Sequence, residues 1–459
     1  MATPESTFAG KTLVVGLGKT GMSVVRFLAA KGESVAVTDS RDIPPGLDEL
    51  KDSYPDVARF MGGFDEKAFL SADRLIVSPG LSLKDSLIQQ AIERRVPVYG
   101  DIELFAHYAD APVIAITGSN GKTTVTTLIG EMARAAGFDV GVGGNIGTPA
   151  LDLLDCGHDL FVLELSSFQL ETLSSLKPLS AVVLNVSEDH MDRYASLQEY
   201  ANAKARIFNK AENKVVNRDD NIVSSMPVSS NVVGFTLNEP LKQSDFGLRN
   251  IDSQTWICQG DEKLIATDEL LISGQHNVAN AMAALALGVS AGFSMASMLQ
   301  ALKGFTGLPH RTQFVAEING IRFFNDSKAT NVGSCLAALQ GLHRYDESRS
   351  VVIMGGDCKG ADFKELSNIL EMTCRGVILI GRDAEQIAAV IPESVKTEKA
   401  VDMKEAVLKA TAIAKQGDRV LLSPACASFD MFSGFEERGH VFSQLVREMG
   451  QEMGREMDR

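Results

Sequence analysis

Two glycine-rich turns constrain this chain more than any other feature. GLGKTG occupies residues 16–21 and ITGSNGKTT residues 116–124. Each follows an apolar run and opens a helical pattern. That is the arrangement in which free N–H groups at a helix N-terminus meet a phosphate. In the first turn, Gly16, Gly18 and Gly21 permit a tight bend and close approach of a phosphate to the backbone. Asp39 closes the next strand, about where an acid would meet a ribose hydroxyl. A ligand-free tight turn is the alternative reading. In the second turn, Gly118, Ser119, Asn120 and Gly121 can wrap phosphates, Lys122 supplies a point charge, and the hydroxyl of Thr123 or Thr124 can reach Mg²⁺. Ile116 stands where the G-x-x-x-x-G-K-[ST] pattern begins with glycine. A dehydrogenase has no use for the second turn, and a motor-type ATPase has none for the first. An enzyme that joins two substrates with ATP, one of them a nucleotide conjugate, uses both.

The 459 residues suggest about three domains. Strands and helices alternate from Lys11, as in KTLVVG, MSVVRFLAAKG, SVAVTD and DRLIVSPG, which predicts a parallel, doubly wound sheet. A second series starts at APVIAITG, with DLFVLEL and SAVVLNVSED as further strands. Residues 210–273 read as short β-prone pieces, expected to form an antiparallel edge or a small side sheet. HNVANAMAALALGVSAG reads as a helix. A third series contains IRFFNDS, SVVIMGG, GVILIG and DRVLLSPA as strands. The expected domains are 1–100, 101–307 and 308–459.

A net charge of −15 argues against sequence-independent binding to nucleic acid, though not against small anionic substrates. The six cysteines form no C-x-x-C pair, so free thiols in a reducing compartment are expected, not a zinc site. The first residues, MATPESTFAGK, lack a signal-peptide pattern, and no apolar run reaches the ~18 residues of a spanning helix. A cytoplasmic protein without membrane insertion is expected.

The ordered motifs GLGKTG, SPG, GDIELF, ITGSNGKTT, GGNIG, ELSSFQLE, NVSEDHMDRY, AKARI, LPHR, NDSKATN, GGDCKGADF and SPACASFDMFSGFEERG cover nearly the whole chain. In that order they resemble the Mur ligase family of peptidoglycan precursor synthesis. GGNIG, ELSSFQLE, NDSKATN and the SPACAS segment resemble the members that add D-glutamate to UDP-N-acetylmuramoyl-L-alanine. The resemblance implies three α/β domains: a Rossmann-like N-terminal domain for the UDP-sugar, a P-loop ATPase-type centre, and a Rossmann-like C-terminal domain for the amino acid. It implies ATP-dependent amide formation through an acyl phosphate, with two Mg²⁺ ions (Mn²⁺ as a possible substitute), in a monomer. A folylpolyglutamate synthase is less compatible, because its ATP domain begins the chain. A non-catalytic UDP-sugar sensor would be expected to have lost one of Lys122, Glu164, His190 or Lys204.

Residue by residue, the resemblance carries over as follows. Lys122 contacts phosphates, and Thr123, Glu164 and His190 serve the metals. Lys204 matches a lysine carbamylated by CO₂, whose carbamate helps hold Mg²⁺. That chemistry requires a neutral amine. Gly18, Thr20, Asp39, Ser40 and Gly80 match the uridine-diphosphate pocket. Asn145, Ser166 and Gln169 match the sugar and alanyl end. Arg311, Asn325, Asp326 and Lys328 match ATP contacts. His310, Thr330, Lys359, Ser428 and Phe435 match the D-glutamate pocket. Cys358 stands where the family has a small residue.

Overall fold

A computed structural model describes residues 10–187, 189–190, 193–228, 230–272, 274–343, 348–358 and 361–457, the side chains of 453–457 excepted. It contains three sheets. The first joins β1 (Thr12–Val15), β2 (Val35–Asp39), β3 (Ala58–Met61), β4 (Arg74–Val77) and β5 (Val98–Tyr99) in the order 3-2-1-4-5, all parallel. The strand order reverses between β1 and β4. The turn after β1 therefore opens at a topological switch point, where α/β sheets bind ligands.

The second sheet has nine strands. They are β6 (Val113–Thr117), β7 (Val140–Gly144), β8 (Leu160–Glu164), β9 (Ser180–Val183), β10 (Asn213–Asn217), β11 (Val232–Phe235), β12 (Phe246–Ile251), β13 (Gln254–Gln259) and β14 (Glu262–Ala266). Their order is 14-13-12-11-10-9-6-8-7. Only the hairpins through β12, β13 and β14 are antiparallel. The expectation of an antiparallel or separate unit over 210–273 needs correcting for β10 and β11. Both pair in parallel and continue the central sheet. Val215 and Val216 are fully or nearly buried there, as strands covered on both faces require.

The third sheet holds β15 (Gln313–Ile318), β16 (Ile321–Asn325), β17 (Ser350–Gly355), β18 (Cys374–Ile380), β19 (Lys396–Lys399) and β20 (Arg419–Leu422), in the order 15-16-20-17-18-19. β20, last in sequence, lies between β16 and β17. The loops after those three strands are thereby neighbours.

By contact density the chain forms two compact units, the first of which holds two of the three sheets. One runs to Thr267 and takes back Ala279–Leu302. The other comprises Asp268–Val278 and the chain from Lys303 onward. The first two sheets share a unit because one apolar cluster runs through both, from Val14 and Phe27 to Phe105 and Phe161. The helix Asp101–Tyr108 is the seam. Tyr108 meets Phe27 edge-on at 4.9 Å, and Phe105 meets Phe161 at 5.1 Å.

That seam also buries an acid. Asp101 is 3% exposed and accepts from Gln169 Nε2 at 3.0 Å. Burial pushes its carboxyl up to about 6. Between pH ~4 and 6 the folded state therefore holds a proton that the unfolded chain has released, and stability falls as pH rises through that window. Asp101→Asn keeps an acceptor for Gln169 and removes the buried charge. It is expected to raise stability at pH 8 by up to about 3 kcal/mol. Little gain is expected at pH 4, and thermal melts at the two pH values measure the difference.

Candidate active site

The second glycine-rich turn connects β6 to the helix Lys122–Ala135. Gly121 is its N-cap, with φ of +82°, which an L side chain rarely adopts. A Cβ there would also lie 2.4 Å from Asn280 Oδ1. The turn is pinned from the loop after β9. Asn185 accepts from Ser119 N at 3.0 Å through its carbonyl and from Asn120 N at 2.8 Å through its side chain. Ser119 Oγ donates to the Ser187 carbonyl at 3.1 Å. Thr124 lies in the first turn of the helix.

Two ammonium groups converge on one carbonyl of this turn. Lys122 Nζ donates to Gly118 O at 2.8 Å and to Ser119 O at 3.0 Å. Lys204 Nζ, from the helix Leu197–Ala205, donates to the same Gly118 O at 2.9 Å. Lys204 is 1% exposed, and its ammonium sits over the Tyr200 ring at 4.4 Å from the centroid. Burial, reinforced by the charge of Lys122, lowers its pKa from 10.5 to about 7. A far larger share of this amine is therefore neutral near pH 7 than of a solvated lysine. Burial also lowers the pKa of Lys122.

Facing them is Glu164, at the carboxyl end of β8 and 1% exposed. Its Oε2 accepts from Thr123 Oγ1 at 2.9 Å, and its Oε1 from Asn145 Nδ2 at 2.8 Å. Three sequence candidates, from the helix after β6, the loop after β7 and the end of β8, thus meet at one buried carboxylate. Both of these hydrogen-bond partners are neutral, and the positive charges of Lys122 and Lys204 act on the carboxylate from nearby. Such a group suits a hard cation. Among the described residues, no cluster of three or more His, Cys, Asp or Glu side chains converges. A metal here would take one carboxylate and a hydroxyl from the protein and its remaining oxygens from phosphate and water, as Mg²⁺ commonly does. The residues present fit that ion and a nucleotide's phosphates.

His190 lies on the loop after β9 with φ of +55°. Its ring is 4.9 Å from that of Phe168, and about half of its side chain is exposed. Ser166 and Gln169 form a capping box on the helix Ser167–Glu171.

In the first sheet, Gly18 is the N-cap of the helix Lys19–Ala30. Gly21 allows that helix to sit against the strand end, since a Cβ would strike Gly16 O at 1.9 Å. Asp39 is 2% exposed, and its carboxylate is engaged inside the protein. It accepts from Leu17 N at 2.7 Å and from Arg41 Nη2 at 2.7 Å and Nε at 2.8 Å. It therefore shapes the first turn directly, and Arg41 is the more exposed group of the pair. Thr20 lies in the first turn of the helix Lys19–Ala30, and the exposed Ser40 directly follows β2. Lys19 Nζ reaches the Gly147 carbonyl at 2.5 Å, tying this turn to the GGNIG loop. Arg193 donates to the carbonyls of Gly80 and Leu81 at 3.3 and 3.0 Å, and its guanidinium lies 4.2 Å from the Phe168 ring centroid.

In the other unit, Asn325 is fully buried. Its Nδ2 donates to Gly439 O at 2.8 Å and Ser443 Oγ at 2.9 Å, and lies 3.1 Å from His310 Nδ1. Asp326 accepts from Ser423 Oγ at 2.8 Å and Thr312 N at 2.9 Å, and burial pushes its carboxyl up to about 6. Lys328 Nζ lies 5.1 Å from the Phe435 ring centroid, and His310 meets that ring edge-on at 6.0 Å. Arg311 and Thr330 are exposed, whereas Ser428 is buried. Lys359 lies outside the described residues.

The sequence reading missed the residues that hold these loops. Asn185, Ser187, Arg41, Arg193, Asn280 and Arg438 all belong to this group. Only the motifs that contain Asn185, Ser187, Arg193 and Arg438 offered any signal.

Three family models match in sequence order. They are the Mur ligase MurD-like N-terminal domain over residues 10–100, the Mur ligase middle domain over 116–288, and the Mur ligase glutamate ligase domain over 310–426. A UDP-N-acetylmuramoylalanine–D-glutamate ligase from Marinobacter nauticus is 52% identical over 441 residues, covering 95% of this chain and 98% of its own. The chain belongs to the Mur ligase family. The enzyme of that same name from Pseudomonas putida is 51% identical over 95% of this chain and 96% of its own. Among solved structures, a UDP-N-acetylmuramate–alanine ligase from Thermotoga maritima aligns with a TM-score of 0.54 at 19% identity, over 96% of this chain and 100% of that one. A UDP-N-acetylmuramoyl-L-alanyl-D-glutamate–2,6-diaminopimelate ligase aligns with a TM-score of 0.58 at 20% identity, over 92% and 88%. Both share the Mur ligase fold. The α/β, three-sheet architecture expected from the sequence is the one observed.

Proposed function

We propose that this protein is an ATP-dependent ligase that joins D-glutamate to UDP-N-acetylmuramoyl-L-alanine in peptidoglycan precursor synthesis. The observation that carries the reading is the convergence of Lys122, Lys204 and Gly118 beside the carboxylate of Glu164, on a chain about half identical to ligases of that name over almost its full length.

In this reading the alanyl carboxylate of the nucleotide attacks the γ-phosphorus of ATP, and ADP leaves. The resulting acyl phosphate has the good leaving group that a free carboxylate lacks. The amine of D-glutamate attacks the carbonyl carbon, a proton is lost from nitrogen, and phosphate departs. The protein's task is to hold several anions together and offset their repulsion. Lys122 and the N–H groups at the start of its helix, residues 121–124, bind ATP phosphates, with Gly118, Ser119 and Asn120 shaping the turn around them. Bound Mg²⁺ (two ions, or Mn²⁺ in their place) neutralises charge on the transferring phosphoryl group. Thr123, Glu164, His190 and Lys204 as its carbamate hold those ions. Gly18, Thr20, Ser40 and Gly80, with Asp39 behind them, receive the uridine diphosphate. Asn145, Ser166 and Gln169 receive the sugar and alanyl end. Arg311, Asn325, Asp326 and Lys328 complete the ATP contacts. His310, Thr330, Lys359, Ser428 and Phe435 receive D-glutamate. Among the described residues no helix is long and apolar enough to cross a membrane. We place the enzyme in the cytoplasm, where its nucleotide substrates are made, as a monomer.

The test is phosphate release from ATP and Mg²⁺ with UDP-N-acetylmuramoyl-L-alanine, comparing D-glutamate, L-glutamate, L-lysine and diaminopimelate. Release that requires D-glutamate is the expected result. Release with another amino acid would move the specificity while keeping the chemistry. Binding of the nucleotides with no release under any combination would overturn the enzymatic reading.

A further inference from the structure

Five of the six cysteines are buried, and two of them touch. Cys358 Sγ and Cys426 Sγ lie 2.9 Å apart although 68 residues separate them. The contact follows from the backbone. Asp357 and Ala427 exchange both N–H···O bonds at 3.0 Å, as an antiparallel bridge between the loops after β17 and β20. One step along, Cys358 must face Cys426 as a non-hydrogen-bonded pair. Such pairs bring Cα atoms to about 4.5 Å, inside the range a disulfide spans. The remaining backbone bonds agree. Cys358 N donates to Asp383 Oδ2 at 2.9 Å, and Cys426 O accepts from Arg438, so neither backbone group is used by the other cysteine.

We propose that Cys358 and Cys426 are a redox modification site, converted by peroxide to a reversible intramolecular disulfide that restrains the loops after β17 and β20. One sulfur attacks a peroxide oxygen, the O–O bond breaks, and a sulfenic acid and water result. The second sulfur attacks the sulfenic sulfur, the S–O bond breaks, and the departing hydroxide leaves as water with the thiol proton. Two thiols and one peroxide thus yield one disulfide and two waters. Both sulfurs are nearly inaccessible, at 3% and 1% residue exposure. Hydrogen peroxide, little larger than water, is the fitting oxidant, and glutathione disulfide is too bulky. Burial raises the pKa of both groups and keeps them as thiols at neutral pH. Oxidation is therefore expected to quicken from pH 7 to pH 9. Ser428 follows Cys426 by two residues and Lys359 follows Cys358 directly. An effect on D-glutamate use rests on the amino-acid pocket proposed above.

The experiment uses the full chain carrying Cys156→Ser, which removes the exposed thiol. After hydrogen peroxide, quenching with catalase and alkylation, a non-reducing digest is expected to contain one peptide linking Cys358 to Cys426, lost on adding dithiothreitol. Recovery of the two cysteines as separate alkylated or over-oxidised peptides overturns the proposal. A several-fold rise in the D-glutamate KM is expected on oxidation, reversed by dithiothreitol and absent from Cys358→Ala and Cys426→Ser. A linked peptide with an unchanged D-glutamate KM would leave the modification site standing and overturn the assignment of these loops to the amino acid.

Discussion

Lys204→Ala is expected to reduce ligase turnover by at least ~10³-fold while the protein still folds and binds ATP. The structural loss is modest. Gly118 O keeps its bond from Lys122 Nζ, so no buried carbonyl is orphaned, and the three methylenes and the ammonium removed leave a cavity beside Tyr200. The chemical loss is larger. A buried lysine with a pKa of about 7 can present a neutral amine to CO₂, and the carbamate exchanges a positive charge for a negative one. Formate, acetate or propionate diffusing into the cavity should return part of the activity, because each restores a carboxylate-like group. Rescue that rises with carboxylate concentration supports the carbamate. Rescue by methylamine instead would assign Lys204 the role of a cation, and undiminished activity would remove it from the mechanism.

Glu164→Gln is expected to cost ~10²- to 10³-fold in kcat with little change in thermal stability. A glutamine can accept from Asn145 Nδ2 through its oxygen and donate to Thr123 Oγ1 through its nitrogen, so both hydrogen bonds at this position survive. What disappears is the single negative charge. A hard cation is expected to bind more weakly, and raising Mg²⁺ or Mn²⁺ should recover part of the rate. Titrating kcat against metal concentration measures this. A variant with wild-type kcat at low Mg²⁺ would show that Glu164 only orients Thr123 and Asn145.

The alternation of apolar runs with helical patterns made the parallel sheets legible, because strands buried on both faces read as continuous apolar stretches. Leu160–Glu164 and Ser350–Gly355 are such strands, without an exposed position. The strands that escaped notice are of another kind. Val140–Gly144 is VGVGG, whose glycines read as a turn, and Lys396–Lys399 is KTEK, a polar edge strand with no buried residue. Valine-rich β10 and β11 were visible, but their direction depends on connections that local pattern does not encode. For the proposed site, motif residues such as Lys122 and Glu164 could be singled out from their local pattern. Their supports could not, since Asn185 lies 65 residues from Asn120, and Arg438 lies 111 from Ser327. Asp39 shows the converse. Its position suggested a ribose contact, but only the fold reveals that Leu17 N and Arg41 occupy its oxygens.

The grip of Arg193 on the Gly80 and Leu81 carbonyls joins the loop that carries His190 to the loop after β4. Two segments that share a hydrogen-bonded clamp cannot respond to their ligands independently. If a uridine nucleotide displaces residues 78–81, part of its binding free energy is spent on, or recovered from, the loop containing residue 190. Thermodynamic linkage then makes the effect mutual. Whatever factor UDP-sugar occupancy applies to the metal–nucleotide dissociation constant, the metal–nucleotide must apply to the UDP-sugar. Arg193→Ala should bring that factor toward one, leaving two sites that fill without reference to each other.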